Sequence, residues 1–220
     1  MGSMDINQIL QGIAVGAIPV LYAVTLHEVA HGWAARLCGD RTAEMLGRLS
    51  LNPIKHIDPV GTILVPALLW TFGGVLFGWA KPVPVAFRNL NKPKRDMVIV
   101  ALAGPLANLA MGVCWAAVYK LTFVTGLVTS MAGEWLISMA RIGIIINTLL
   151  AAFNLLPIPP LDGGRVLRGL VGESFGYYLD RIEPFGLIIL VVLLMSGWLW
   201  VLVGPLLGMV ESLIFFVVGL

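Results

Sequence analysis

Charge is what this chain has least of. Asp, Glu, Lys and Arg make up 12% of its 220 residues, about half the share of a soluble domain, where roughly a quarter is typical. That deficit excludes a disordered regulator and an ordinary cytosolic enzyme. Cysteine is nearly absent too. Cys38 and Cys114 are too few for a disulfide miniprotein, and both read as small core residues rather than a disulfide or metal pair. Base is not in excess, with 14 Lys and Arg against 12 Asp and Glu, so no nucleic-acid partner is expected. No internal repeat or low-complexity segment is visible. What abounds is apolar: 59% of residues are hydrophobic and mean hydropathy is +0.93. Those values imply a polytopic membrane protein. The length fits a single integral membrane domain over 4–220, with 1–3 read as an expression scar.

Five uncharged runs mark the membrane segments: 6–26, 59–80, 97–119, 142–161 and 184–210. Each is long enough to cross the hydrocarbon, which takes about 20 apolar residues. The first is no cleavable signal peptide, because no Lys or Arg precedes Arg36. Pro19 is a place for it to kink. If 59–80 enters and leaves on one face, 12 of the 14 basic residues share that face and only Lys120 and Arg141 lie opposite. The positive-inside rule then favours a re-entrant or hairpin-like second run and an N-terminus outside. Gly61, Pro66, Gly73, Gly74 and Gly78 suit a broken helix there. The flanks 45–51 and 83–87 read as strands of a small membrane-edge sheet. Residues 165–171 read as a short interfacial helix, and a break near Gly197 or Gly204-Pro205 would divide the last segment. The expected fold is an all-α polytopic membrane protein with a small membrane-edge β-sheet and about four to six membrane helices.

Histidine occurs only three times, and two copies stand in His27-Glu28-Val29-Ala30-His31. A spacing of four puts both imidazoles on one helix face, and Glu28 lies about 100° round. This is the arrangement for two zinc ligands and a general base. The plainer reading is a polar patch where a helix leaves the bilayer. Against it, Arg36 marks the interface, so His27 lies about 13 Å and His31 about 7 Å deeper, where ionisable groups are costly and usually functional or paired. Gly32 leaves the backbone open to close approach by another element.

Zinc with two histidines needs a third protein ligand. His56, in a polar Pro-bounded segment, fits a surface-loop histidine better. Asp162 is the stronger candidate. It follows a helix break at Pro157, Pro159 and Pro160 and precedes Gly163-Gly164. Taken alone, Asp162 is equally well read as a helix N-cap. A re-entrant second run brings it to the same face as His27 and His31; a spanning one leaves it opposite.

His27–His31, the stretch 102–108 (LAGPLAN) and the stretch 153–164 (FNLLPIPPLDGG) together resemble the site-2 protease family of intramembrane zinc metalloproteases, from the first helix to about Arg168. The resemblance implies one Zn2+ per chain on His27, His31 and Asp162, with Glu28 as the base. It implies that Asn154 helps hold the substrate and places Asn108, of the GPxxN motif, near the site; both are assigned to substrate binding. It also implies hydrolysis of peptide bonds within or near transmembrane segments of membrane proteins. The expected partners are a transmembrane substrate, the lipid bilayer and a regulatory membrane partner, since no PDZ-like or CBS-like domain is recognised. The expected location is a prokaryotic plasma membrane, with the site toward the cytoplasmic face. Two bland alternatives stand beside these. Asn108 and Asn147 also read as helix-to-helix hydrogen bonders. The whole chain also reads as a zinc-binding membrane protein that hydrolyses nothing, a pseudoprotease chaperone or a transporter. Intact Glu28 argues against the first, and runs bare of acids against the second.

Overall fold

Helices follow the uncharged runs because a backbone in lipid must satisfy its own hydrogen bonds. The structure, a computed structural model, describes residues 6–65, 68, 78 and 80–220. Among the described residues, four helices are long and apolar enough to cross a membrane: α1 (Ile6–Leu37), α3 (Pro93–Val124), α4 (Met131–Asn154) and α8 (Trp198–Val218). Between them lie α2 (Thr42–Met45), α5 (Asp162–Leu170), α6 (Glu173–Ile182) and α7 (Gly186–Met195). Pro19 sits inside α1 without ending it. The break in the last apolar run falls at Gly197, where φ is +80°, a conformation glycine adopts without penalty; Pro205 stays within α8. At 10 residues, α7 is about 15 Å long, half the hydrocarbon thickness of about 30 Å.

α3 is the central helix and packs on α1, α4, α5 and α8. Small residues let it do so. A Cβ on Gly112 would lie 2.6 Å from Ile214 Cδ1 of α8, and Ala101 and Ala116 are buried. Close backbone approach of this kind is how membrane helices pack. α1 and α3 run antiparallel with adjoining ends, since Asn91 N donates to Cys38 O at 2.9 Å.

The expected sheet is not there: no β-strand occurs among the described residues. The reason is where the backbone donors go. In 45–51, Met45, Leu46, Gly47 and Arg48 donate to carbonyls of Arg41, Thr42, Glu44 and Ala43, closing α2 and the turn after it. In 83–87 no regular structure forms before Phe87, and Pro82 and Pro84 carry no N–H. Val83 N donates to Glu28 Oε2 and Ala86 N to Asp40 Oδ2, each at 2.7 Å. Phe87–Asn89 then forms a 3-10 turn. Two carboxylates stand where a neighbouring strand was expected.

Of the second apolar run, Pro59–Leu64 is a π-helical turn capped by Asp58. The rest of the re-entrant reading, with Pro66, Gly73 and Gly74, lies outside the described residues. The core reading of the cysteines holds only in part: Cys38 is half-buried against Ala35, Leu90 and Val100, while Cys114 is exposed, and both are free thiols. The interfacial helix starts at Asp162 instead of Arg165.

Asp40 ties the end of α1 to the segment entering α3. Fully buried, it accepts from Thr42 N and Oγ1, Ala86 N and Asn89 Nδ2. Burial pushes its carboxyl up, but these four donors outweigh burial and hold it below the usual carboxylate range. Its stabilising contribution is therefore full above an unfolded-state pKa of about 3.9 and is lost as pH falls through the lower folded value. Asp40→Asn is expected to lower the thermal midpoint at neutral pH, by the equivalent of about 1–3 kcal/mol. The gap from wild type should shrink as pH falls below about 4; thermal melts across pH in detergent check both.

Candidate metal centre

The helical spacing of four does what it predicts. His27 and His31, both buried, project from one face of α1, and their Nε2 atoms lie 3.1 Å apart. The third group comes from the far end of the motif set. Gly163 and Gly164 let α5 start tight against the turn before it: a Cβ on Gly163 would stand 2.3 Å from Leu156 O, and one on Gly164 2.6 Å from Pro159 N. That start turns Asp162 inward. Its Oδ2 lies 3.3 Å from His27 Nε2 and 3.2 Å from His31 Nε2. The N-cap of α5 is Leu161, and no side chain caps it, so Asp162 does not do the capping work of the plainer reading.

The tautomers follow from the outer contacts. Val100 O accepts only, so His31 Nδ1, at 2.7 Å, carries the proton. Asn108 Nδ2 donates to Ala23 O at 3.1 Å, which turns its Oδ1 toward His27 Nδ1 at 2.6 Å and makes that nitrogen the donor. Both Nε2 atoms are then bare lone pairs facing each other and a carboxylate oxygen. Asp162 Oδ2 is buried without a hydrogen-bond donor.

Three inward-facing acceptors at these distances fit a cation. Four ligands around zinc at about 2.0–2.1 Å stand about 3.3 Å apart, and the three atoms here span 3.1–3.3 Å. Two histidines and one carboxylate leave a fourth position open, as hydrolytic zinc sites do. Gly104 keeps the space clear, since a Cβ there would lie 2.3 Å from His31 Nε2 and 2.6 Å from His27 Cε1.

The other expected residues are placed as follows. Glu28 is half-buried beside the pair, with Oε2 held by Val83 N. Asn108 is fully buried, with its Oδ1 facing His27 Nδ1. Asn154 ends α4 and donates from Nδ2 to Leu150 O of its own helix at 3.0 Å. His56 is no surface residue: it is 2% exposed, and its Nε2 donates to Ser50 O at 2.8 Å, bracing the loop. Gly32 does admit a close neighbour, for a Cβ there would meet Leu49 Cδ2 at 2.4 Å and Val83 Cγ1 at 2.8 Å. Sequence reasoning missed Val83, whose amide is the only one between Pro82 and Pro84. Gly104, one helical turn before Asn108 in the GPxxN motif, is legible as a residue that lets helices pack closely, but not as one that faces the two imidazoles.

Residues 15–197 match the profile of Peptidase family M50. The chain belongs to this family, the site-2 proteases. It is 39% identical over 180 residues, 81% of this chain and 79% of the relative, to "Putative zinc metalloprotease YwhC" of Bacillus subtilis (strain 168). It is 31% identical over 176 residues to Rip2 of Mycolicibacterium smegmatis, described in the same words, covering 80% of this chain and 64% of that one. "Zinc metalloprotease MJ0392" of Methanocaldococcus jannaschii is 24% identical over 164 residues, 74% of this chain and 36% of its own. No solved structure matches. This M50 peptidase is thus an intramembrane zinc metalloprotease, an integral multi-pass membrane protein. Zinc is its metal, and the cluster of His27, His31 and Asp162 can hold it.

Proposed function

We propose that this M50 peptidase cuts membrane proteins within or near their transmembrane segments, with His27, His31 and Asp162 as zinc ligands and Glu28 as general base. One observation carries the assignment: three buried atoms able to act as metal ligands, from α1 and α5, converge within 3.1–3.3 Å of one another. Zinc held by His27, His31 and Asp162 would supply an acidified water and a charge that polarises a carbonyl. Glu28 does the proton work. With Oε2 fixed by Val83 N, Oε1 takes a proton from the attacking water and returns it to the leaving amide nitrogen. A substrate helix hides its carbonyls in its own hydrogen bonds, so a segment must unwind to reach the site. Asn154, beside the turn that leads to Asp162, is placed in this reading to accept from that extended segment. Asn108 serves by orienting His27.

The reading includes a topology with the N-terminus outside, the site toward the cytoplasmic face and a prokaryotic plasma membrane as the location. The charge bias supports it. So does the hydrogen bond from Lys81 N to His56 O at 2.9 Å: it joins the two ends of the second apolar run, whereas a single span would separate them by about 30 Å. A regulatory membrane partner is part of the same proposal.

The test uses a single-span membrane protein with a helix-breaking Gly-Pro pair in its transmembrane segment, reconstituted with the purified peptidase in liposomes. Cleavage is expected, is expected to stop with 1,10-phenanthroline and to return with added zinc. Cleavage that persists through complete metal removal would reject the metal mechanism.

A further inference from the structure

Asn147 belongs to none of the motifs, yet among the described residues it is one of two fully buried asparagines of the spanning helices. Its contacts are directional. Gly143 O can only accept, so Asn147 Nδ2 faces it, at 2.8 Å. That leaves Asn147 Oδ1 toward α3, where Asn108 Nδ2 donates to it at 2.9 Å. Asn108 Nδ2 also donates to Ala23 O, so both hydrogens of that amide are used and its Oδ1 is turned to His27 Nδ1. Each link fixes the next across three helices, from α4 through α3 to α1.

We propose that Asn147 is a positioning residue for the metal centre, acting through Asn108 to keep the proton of His27 on Nδ1. The proposal rests on His27 being a zinc ligand. The physical reason is the cost of the alternative. An Asn108 amide turned over would present Nδ2 to His27, which then needs a lone pair on Nδ1 and must carry its proton on Nε2, the atom aimed at the metal. With Ala23 O as the only other neighbour, that flip sets one pair of acceptors against each other. Asn147 Oδ1 adds a second such contact in a site where both amides are fully buried and unpaired polar atoms are costly. Partners behind a metal-bound histidine typically change metal affinity by about 10–100-fold.

A plain helix-to-helix hydrogen bond would stabilise the bundle without selecting a tautomer, and a double-mutant cycle on zinc affinity separates the two. The full chain is purified in mild detergent as wild type, Asn147→Leu, Asn108→Leu, the double variant and His27→Ala, and each zinc Kd is measured by chelator competition alongside the thermal midpoint. Both single leucine variants are expected to weaken zinc by about 10-fold or more, and the double variant no further than Asn108→Leu alone. Asn147→Asp, whose neutral acid can donate to Gly143 O and accept from Asn108, is expected to recover most of the affinity. If Asn147→Leu does not fold, Asn147→Ala takes its place in the cycle. A wild-type Kd in Asn147→Leu, or independent additive losses in the double variant, overturns the proposal and leaves Asn147 as a link between helices. Undiminished zinc in His27→Ala overturns the metal-site reading itself, a separate result.

Discussion

Glu28→Gln is expected to abolish cleavage, by about 10²–10⁴-fold, while zinc content and thermal midpoint stay near wild type. The two side chains have the same shape. The glutamine carbonyl oxygen can still accept from Val83 N, so the extended segment before α3 keeps its anchor on α1. None of the three clustered ligand atoms is touched. What is lost is the capacity to take a proton, because an amide is not a base near neutral pH. The measurement is the cleaved fraction of the Gly-Pro substrate together with elemental analysis of the same preparation. Retained zinc with lost cleavage assigns proton transfer to Glu28. Cleavage at the wild-type rate would remove Glu28 from the mechanism, and joint loss of zinc and cleavage would make it a structural support of the site.

Why one part of this site can be read from sequence and another cannot is a matter of range. His27 and His31 share a helix face by local geometry alone. Asp162 needed a long-range argument, which the distribution of Lys and Arg supplied by deciding which segment ends lie together. The apolar residues between prolines in 83–87 suggested a strand, but such a pattern is blind to which group receives each N–H. Here the receivers, Glu28 and Asp40, stand more than forty residues earlier, and no local pattern encodes them. Asn108 was visible as a motif residue near the site, whereas its bond to His27 Nδ1 depends on how α3 lies against α1. Burial of His56 was equally hidden: a polar, proline-bounded stretch reads as surface, whereas the ring is buried and held to Ser50 O. Gly197 was one of two breaks the sequence offered, beside Gly204-Pro205, and its positive φ shows which of them the chain uses.

Asp162→Ala is expected to reduce zinc from about one per chain to a small fraction of that, with the helices retained. Changes one shell further out already cost about 10–100-fold in metal affinity, so loss of a direct ligand should exceed about 100-fold. Two features make the variant a clean probe. Asp162 Oδ2 has no hydrogen-bond donor in the protein and its side chain makes no capping bond to α5, so alanine orphans no backbone group. The close start of α5 depends on Gly163 and Gly164, which remain. What alanine leaves is a pair of imidazoles with facing lone pairs 3.1 Å apart, a two-ligand site too poor to hold zinc against a chelator. His56→Ala serves as the contrast. Its ring is engaged with Ser50 O and stands outside the cluster, so zinc content should stay at the wild-type level even if the loop loosens. Wild-type zinc in Asp162→Ala together with loss in His56→Ala would move the third ligand to the 50–58 loop. The opposite pattern ties α1 and α5 to one metal and, with it, the ends of α1 and α4 to one face of the membrane.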